Sequence, residues 1–483
     1  MKPLLLLSPA VLLAACSVGP DYKPPKLDTP VSWRSSDAKV NDLIQTKWWE
    51  RFGDSELNTL VEKALAENVN LHLAAARIEQ FRALYGVSRA GLYPELSALG
   101  GFTRTAPSES GNVPTNGDPS NSYSLDGALR WEIDLWGRIR RSNEAVRAEF
   151  LAEEAGARGV LVTVVTAVVQ TYIEIRGLDQ RLEISKNTLK SREESLRIAR
   201  ERFANGVVSE LDIKQAESEY LSVELSIPEL ELAIGRRENL LSVLLGGAPQ
   251  SIVRGRTINE LNTSVMIPAS LPADIVRNRP DLIEAEERLK GATARIGVAL
   301  AEYYPKLSMT GLLGFLSADF SDWLKSESNE WQVAPRLGVP VFTAGRLENQ
   351  VLGAKAVAKQ AEEAYKLRTL EALREVEDAL IGYEKTTKKR DLLDAQVEIL
   401  KGYNSLSKQR YDEGQSDYLD VLDAQRNLFA SELNLTNAEV QVISEYINLF
   451  KALGGGWVTS AQSASVLTQV VDKKTSADKK AGA

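Results

Sequence analysis

One long unit occurs twice in this chain, and that duplication limits its architecture more than any local motif does. Residues 137–247, shifted by 208 positions, land on 345–455 without a gap. Gly137-Arg138 meets Gly345-Arg346, Arg202-Phe203 meets Arg410-Tyr411, Gly206 meets Gly414, and Leu211-Asp212 meets Leu419-Asp420. Ala216 meets Ala424, and Gly246-Gly247 meets Gly454-Gly455. Upstream, a second register shifted by 211 sets Ala74, Arg77, Gly86-Val87, Tyr93-Pro94 and Leu96-Ser97 against Ala285, Arg288, Gly297-Val298, Tyr304-Pro305 and Leu307-Ser308. A length of 483 residues allows two or three domains, but two similar halves are expected to share one body.

Each copy reads as a helix, two strands and a long helical hairpin. Residues 54–91 have helical apolar spacing at Leu57, Leu60, Val61, Leu65, Leu71, Leu73 and Ala76. Asp54 or Ser55 can cap the start, and Tyr93-Pro94 ends the segment. Residues 138–205 contain no proline, and 68 residues make about 100 Å of helix. Leu161, Val168, Ile175, Leu182, Leu189, Leu196 and Phe203 recur every seventh residue, the period of coiled-coil packing. Asn205-Gly206 reads as a turn, and a second helix starts at Ser209 and runs to about Leu245, punctuated by Pro228. The second copy runs from about Arg346 to Asp412, turns at Glu413-Gly414 and returns to Leu453. In its returning helix Leu422, Phe429, Thr436, Ile443 and Phe450 share one seam position, and Leu419, Arg426, Leu433, Val440 and Ile447 the other.

Strand-like stretches lie between the helices. Residues 96–104 and 123–135 flank a loop of Pro, Ser, Gly and Asn at 106–121, and 307–315 and 332–342 flank a shorter one. Leu125, Gly127, Leu129, Trp131 and Ile133 alternate with Asp126, Ala128, Arg130 and Glu132, the pattern of a strand with two unlike faces. Aromatic residues cluster here, as at the rims of a membrane barrel. Four strands cannot close, and an open edge is not viable in lipid. Chains must therefore share a barrel: two would give eight strands and a filled lumen, three would give twelve and room for an aqueous passage.

Composition removes other classes of function. Charged residues make up 26% of the chain, the net charge is −8, and no basic stripe points to nucleic acid. With one His (His72) and one Cys (Cys16), the chain has no Cys/His metal site, no disulfide and no common nucleophile–His arrangement. No Gly-x-Ser-x-Gly, Walker or Rossmann fingerprint occurs, so no enzyme and no cofactor is expected. Cys16 is placed informatively. Lys2 gives a positive start, residues 4–15 form an apolar run too short to span a bilayer, and Leu13-Ala14-Ala15-Cys16 follows. This resembles the bacterial lipobox, in which the Cys becomes the acylated, palmitate-bearing first residue after cleavage of the signal. Ser17 favours the outer membrane by the same resemblance. The polar, Pro-rich residues 17–36 read as a tether.

Taken in order, these segments resemble the TolC-type outer-membrane factors, in the OprM/NodT-like branch of efflux lipoproteins. The resemblance rests on Leu13-Ala14-Ala15-Cys16, Gly19-Pro20-Asp21-Tyr22, Trp48-Trp49-Glu50-Arg51-Phe52 and Asp54 with Leu57. It rests equally on residues 131–138 (Trp-Glu-Ile-Asp-Leu-Trp-Gly-Arg), Arg279-Pro280-Asp281-Leu282, Tyr304-Pro305 and the two hairpin tips. It implies a mixed, mainly α fold with an internal twofold repeat. Three chains would form a homotrimer with a twelve-stranded transmembrane β-barrel continued by a long periplasmic α-helical coiled-coil barrel. It further implies an outer-membrane exit duct for drugs or other small toxic compounds, docked to a periplasmic adaptor and an inner-membrane pump of the resistance-nodulation-division type. A type I secretion duct and a lipid-anchored coiled-coil scaffold without a pore are the competing readings. The expected organisation is a signal peptide (1–15), a lipidated tether (16–53), a first repeat (54–250), an equatorial linker (251–275), a second repeat (276–456) and a tail (457–483).

In a conduit the site is its gate, and the resemblance places the gate at the tips of the second hairpin. Asp212 and Asp420 match, each three residues after a plausible cap, Ser209 and Asp417. Other tip positions diverge. Tyr411 faces Phe203 in the alignment, Asp423 faces Gln215, and Arg426 faces Ser218. The second tip alone thus gains a phenol, an acid and a base. Asp420 and Asp423 share a helix face. Under threefold symmetry they would form a ring of carboxylates that attracts cations and offers a divalent ion a site between chains. Tyr411 and Arg426 would hold tips together. Gly206 and Gly414 serve the turns, and by resemblance the tips are also where an adaptor makes contact.

Overall fold

In a computed structural model, residues 17–26, 30, 33, 47–108, 118–261 and 278–455 are described. Cys16, the expected signal peptide, the expected tail and most of the expected linker lie outside them. The described chain runs α1 (Ser55–Glu67), α2 (Val69–Ala90), β1 (Glu95–Thr105), β2 (Ser120–Ile133), α3 (Arg138–Ala204) and α4 (Glu210–Leu244). It continues with α5 (Pro280–Ala301), β3 (Lys306–Ser317), β4 (Asn329–Gly338), α6 (Arg346–Asp412) and α7 (Tyr418–Ala452). The duplication is literal in length: α2 and α5 have 22 residues each, α3 and α6 have 67, and α4 and α7 have 35.

Local chemistry sets the boundaries. The expected single helix over 54–91 is two helices, broken at Asn68. Asn68 closes α1 with its backbone N–H, leaves the helical conformation, and accepts the N–H groups of Asn70 and Leu71 on its Oδ1 at 2.9 and 3.2 Å. An asparagine inside an apolar period can satisfy the orphan donors of a new helix, so periodicity alone does not see the break. Asp54 caps α1 as expected. β2 stops at Ile133 because Asp134 turns to accept the first N–H groups of α3, from Ile139 and Arg140. β4 ends at Gly338, short of the expected residue 342, where Pro340 has no N–H to give a ladder. α4 continues through Pro228.

The chain divides into two compact units, each drawing on both repeats. The first comprises Met1–Leu27, Ile78–Glu154 and Glu284–Lys366. It holds the sheet, antiparallel throughout and ordered β1-β2-β3-β4 with both outer strands unpaired on one side. The register aligns Leu96 with Leu129 and Phe102 with Tyr123 across β1 and β2. It aligns Leu129 with Gly311 and Trp131 with Met309 across β2 and β3, and Leu313 with Trp331 and Leu307 with Leu337 across β3 and β4. Because side chains alternate, these residues share one face and make it apolar, while Ser97, Asp126, Arg130, Glu132, Thr310 and Gln332 share the other. The corner after β2 is locked by the Glu132–Arg138 ion pair, two contacts at 2.9 and 2.8 Å, and by the Trp136 indole N–H donating to the Pro305 carbonyl at 2.9 Å.

The second unit comprises Asp28–Arg77, Ala155–Ile283 and Leu367–Ala483. Its core joins Leu161, Val168 and Ile175 of α3 to Ile443, Tyr446 and Phe450 of α7, so the apolar stretch of α3 is filled against protein. Trp48 stacks on Phe450 with ring centroids 5.2 Å apart, and Trp49 and Phe52 pack edge-on beside it. Asp54, fully buried, also accepts the Tyr172 hydroxyl at 2.7 Å and the Arg256 N–H at 3.0 Å. Burial, then the neighbouring carboxylate, pushes the Tyr172 phenol well above its ordinary range. Arg279 pairs with Asp281 and Glu375 and donates to the Ala452 carbonyl, tying the start of α5 to α6 and to the end of α7.

Candidate functional site: the two hairpin tips

The two turns are built alike. Gly206, at φ 70°, donates to the Phe203 carbonyl while Val207 donates to Arg202. Gly414, at φ 75°, donates to Tyr411 while Gln415 donates to Arg410. A left-handed residue is required at both positions, and only glycine takes it without strain. Both glycines are exposed.

The helix starts that follow differ. The Asp212 carboxylate reaches back to the Ser209 N–H at 2.8 Å and to its hydroxyl at 2.9 Å, one half of a capping box. Asp417 caps α7 by position, without a side-chain bond, and Asp420 donates only its backbone N–H to the Asp417 carbonyl. The Asp420 carboxylate is exposed and takes no partner among the described residues. Local capping explains Asp212 and leaves Asp420 unused.

The three divergent residues occupy three settings. Tyr411 is half-buried, packed on Tyr418 with ring centroids 5.3 Å apart. The Arg202 guanidinium lies 4.5 Å over its ring and pairs with Asp412 at 3.1 Å. Asp423 is exposed and accepts the Asn427 amide at 3.0 Å and the Tyr403 hydroxyl at 3.4 Å. Arg426 extends from α7 to α4, where its Nε donates to Glu219 at 2.6 Å. Glu219 is 6% exposed, and on its other side Arg192 of α3 approaches to 3.7 Å while also donating to Gln425.

Arg192, Glu219 and Arg426 thus form a charged strut across three helices. Burial pulls the Arg192 guanidinium down from its ordinary value, against the attraction of Glu219. Arg426 is raised, chiefly by its hydrogen bond to Glu219. Beneath the strut Leu196, Ala199, Ala216, Tyr418, Val421 and Leu422 make a small core common to the tips. Burial pushes the Tyr418 phenol up to about 12. No group of three or more His, Cys, Asp or Glu converges among the described residues of one chain.

Sequence reasoning missed Arg192 and Glu219. It compared the copies for what the second gained, not for what the first gained. Their counterparts are Leu400 and Asn427, so the same alignment carried the signal.

The profile of the family described as "Outer membrane efflux protein" matches residues 60–247 and 271–455. The solvent efflux pump outer membrane protein SrpC of Pseudomonas putida is 33% identical over 457 residues, covering 93% of this chain and 97% of SrpC. The probable outer membrane lipoprotein SilC of Salmonella typhimurium is 30% identical over 464 residues, covering 94% of this chain and 99% of SilC. The structure of the outer-membrane channel OprN superposes with a TM-score of 0.87 at 30% identity, covering 92% of this chain and all of the OprN chain. Repeat, sheet and hairpins together are the TolC-like channel fold, and the chain belongs to the outer membrane efflux protein family: it is an outer-membrane transport component and not an enzyme.

Proposed function

We propose that three copies of this chain form the passive exit duct of a tripartite efflux system, closed at rest by the tips of the second hairpins. A periplasmic adaptor and an inner-membrane pump of the resistance-nodulation-division type would deliver drugs or other small toxic compounds to it; SrpC is named for solvent efflux. The supporting observation is the sheet. Four strands with one apolar face and two unpaired edges are complete only when β1 of one copy pairs with β4 of the next. Three sets of four make twelve strands, with the polar face turned to a water-filled lumen. A scaffold without a pore would leave those edges unsatisfied. Acylation at Cys16 is part of this reading, as in the relative named a lipoprotein.

The gate follows from the asymmetry of the tips. The strut from Arg426 to the buried Glu219 and the Arg202–Tyr411 contact hold the second tip against the first within one chain. Asp420 and Asp423, exposed on one face of α7, are free to line the passage and to draw cations to it. Opening requires breaking the strut, which leaves Glu219 beside Arg192.

Single-channel recording in planar bilayers tests both levels. Wild type is expected to show small, mostly closed conductance, and Asp423→Asn with Arg426→Ala to raise it severalfold. Equal conductance in variant and wild type would remove these residues from the gate. No conductance in either would remove the duct.

A further inference from the structure

The first compact unit contains a cleft of about 530 Å³ that the duct does not use. It is lined by Arg89 and Leu92 at the end of α2, by Arg140, Asn143 and Arg147 in the first turns of α3, by Lys290 of α5, and by Tyr22 of the tether. The charges do not cancel. Arg140 is taken up by Asp134, and Lys290 by Glu286 and Glu287. Glu144, also at the cleft, is taken up by Arg141. Arg89 makes only a cation–π contact, with Tyr85, and no carboxylate pairs with Arg89 or Arg147 among the described residues. A second observation adds a requirement for a hydrogen-bond donor in the same ligand. Asn143 is 9% exposed, and its Oδ1 has no hydrogen-bond partner. An amide oxygen is an acceptor, so this one calls for a donor, such as the ammonium or hydroxyl of a headgroup, beside the anion that the arginines call for.

The chain path fixes the level of the cleft. Leu92 lies three residues before β1, and Arg140 seven after β2. The side of the sheet is fixed too. Trp131 stands on the apolar face opposite Met309, and its indole N–H donates to the Leu92 carbonyl at 3.2 Å. An indole on a lipid-facing surface that donates at its foot marks the boundary between hydrocarbon and headgroups. The tether arrives at the same place. Val18 donates to the Trp136 carbonyl at 3.0 Å, and the Tyr22 hydroxyl donates to Glu286 at 3.1 Å.

We propose that this cleft binds the phosphate of a glycerophospholipid headgroup from the inner leaflet of the outer membrane. Arg89 and Arg147 contact the phosphate oxygens, the Asn143 Oδ1 accepts from the ammonium or hydroxyl of the headgroup, and the acyl chains run up beside Trp131 and the apolar face. Arginine suits this task because its planar fork gives two donors to one phosphate. Each such charge-assisted contact is worth roughly tenfold in affinity. The occupied cleft would hold the foot of the sheet to the membrane independently of the anchor at Cys16.

Native mass spectrometry of the full-length protein, released from detergent and titrated with phosphatidylglycerol or phosphatidylethanolamine, tests this. Wild type is expected to keep phospholipid adducts, and Arg89→Gln with Arg147→Gln to lose at least about tenfold in binding. Lys359→Gln, an exposed change in the same unit, is expected to bind as wild type does. If the glutamine pair does not assemble, Arg89→Lys with Arg147→Lys keeps the charge, loses the fork, and is expected to bind with intermediate strength. A parallel titration with inorganic phosphate separates the sources. Displacement of lipid by millimolar phosphate would replace the lipid by a free anion and overturn the proposal, as would equal lipid retention in wild type and the variants.

Discussion

Asp54 shows how much one side chain can organise. Its carboxylate caps α1, receives the Tyr172 hydroxyl and fixes the backbone after Gly255, where a Cβ would collide with it. Asp54→Ala removes a cap worth about 1 kcal/mol and leaves a buried hydroxyl and N–H unpaired. The expected loss is about 3 kcal/mol, read as a lowered Tm with α1 unfolding first in hydrogen exchange. The capping role was legible from an acid ahead of an apolar period. The Tyr172 and Gly255 contacts were not, because they join residues far apart in sequence. Glu219 teaches a related lesson. A glutamate on a helix reads as a solvated face until the arginines from two other helices are known, and only the comparison of repeats exposes it.

Among the elements, the hairpin of α6 and α7 carries a pH dependence of its own. Glu439 on α7 faces Arg390 and Asp394 of α6. Burial raises its carboxyl, Arg390 opposes this, and Asp394 adds to it. A carboxyl raised in the folded state holds its proton more tightly there than in the unfolded chain. Its ionised form therefore costs stability above the folded value, and the cost disappears as pH falls below the ordinary glutamate range. Glu439→Gln is expected to raise the Tm at pH 8 and to bring no gain at pH 4. A gain confined to low pH would reverse the assignment. Element lengths were well read from the sequence because two copies had to agree. The break at Asn68 was not, because a side chain that caps a new helix does not interrupt the apolar spacing. The end of β4 was also missed. Residues 339–342 are apolar and look strand-like, while Pro340 removes the donor.

At the scale of the molecule, one chain leaves apolar surface that a single copy cannot cover. On α4, Leu221, Leu225 and Leu232 stand exposed at helical spacing, Leu225 at 69%. On α6, Leu392, Ile399 and Leu406 do the same at intervals of seven. Two such stripes on different helices suit a ring in which each copy meets two others. Leu225→Glu with Leu232→Glu is expected to leave helicity by circular dichroism unchanged and to abolish the trimer in light scattering, since each leucine covered by a neighbour contributes about 1.5–3 kcal/mol. A surviving trimer would move the contact elsewhere.

The tether has a consequence in time. Gly19 lies so close to Gly297 that a Cβ on either would collide with the opposite backbone, and Tyr22 reaches Glu286, 264 residues away. Val18 and Asp21 meet Trp136 and Arg141 of the first copy, but the seat of the tether is complete only once the second copy of the repeat has been synthesised and α5 has folded. A segment that precedes both copies in the chain is thus among the last parts to lock. A chain that stops before α5 would hold its tether by Trp136 and Arg141 alone.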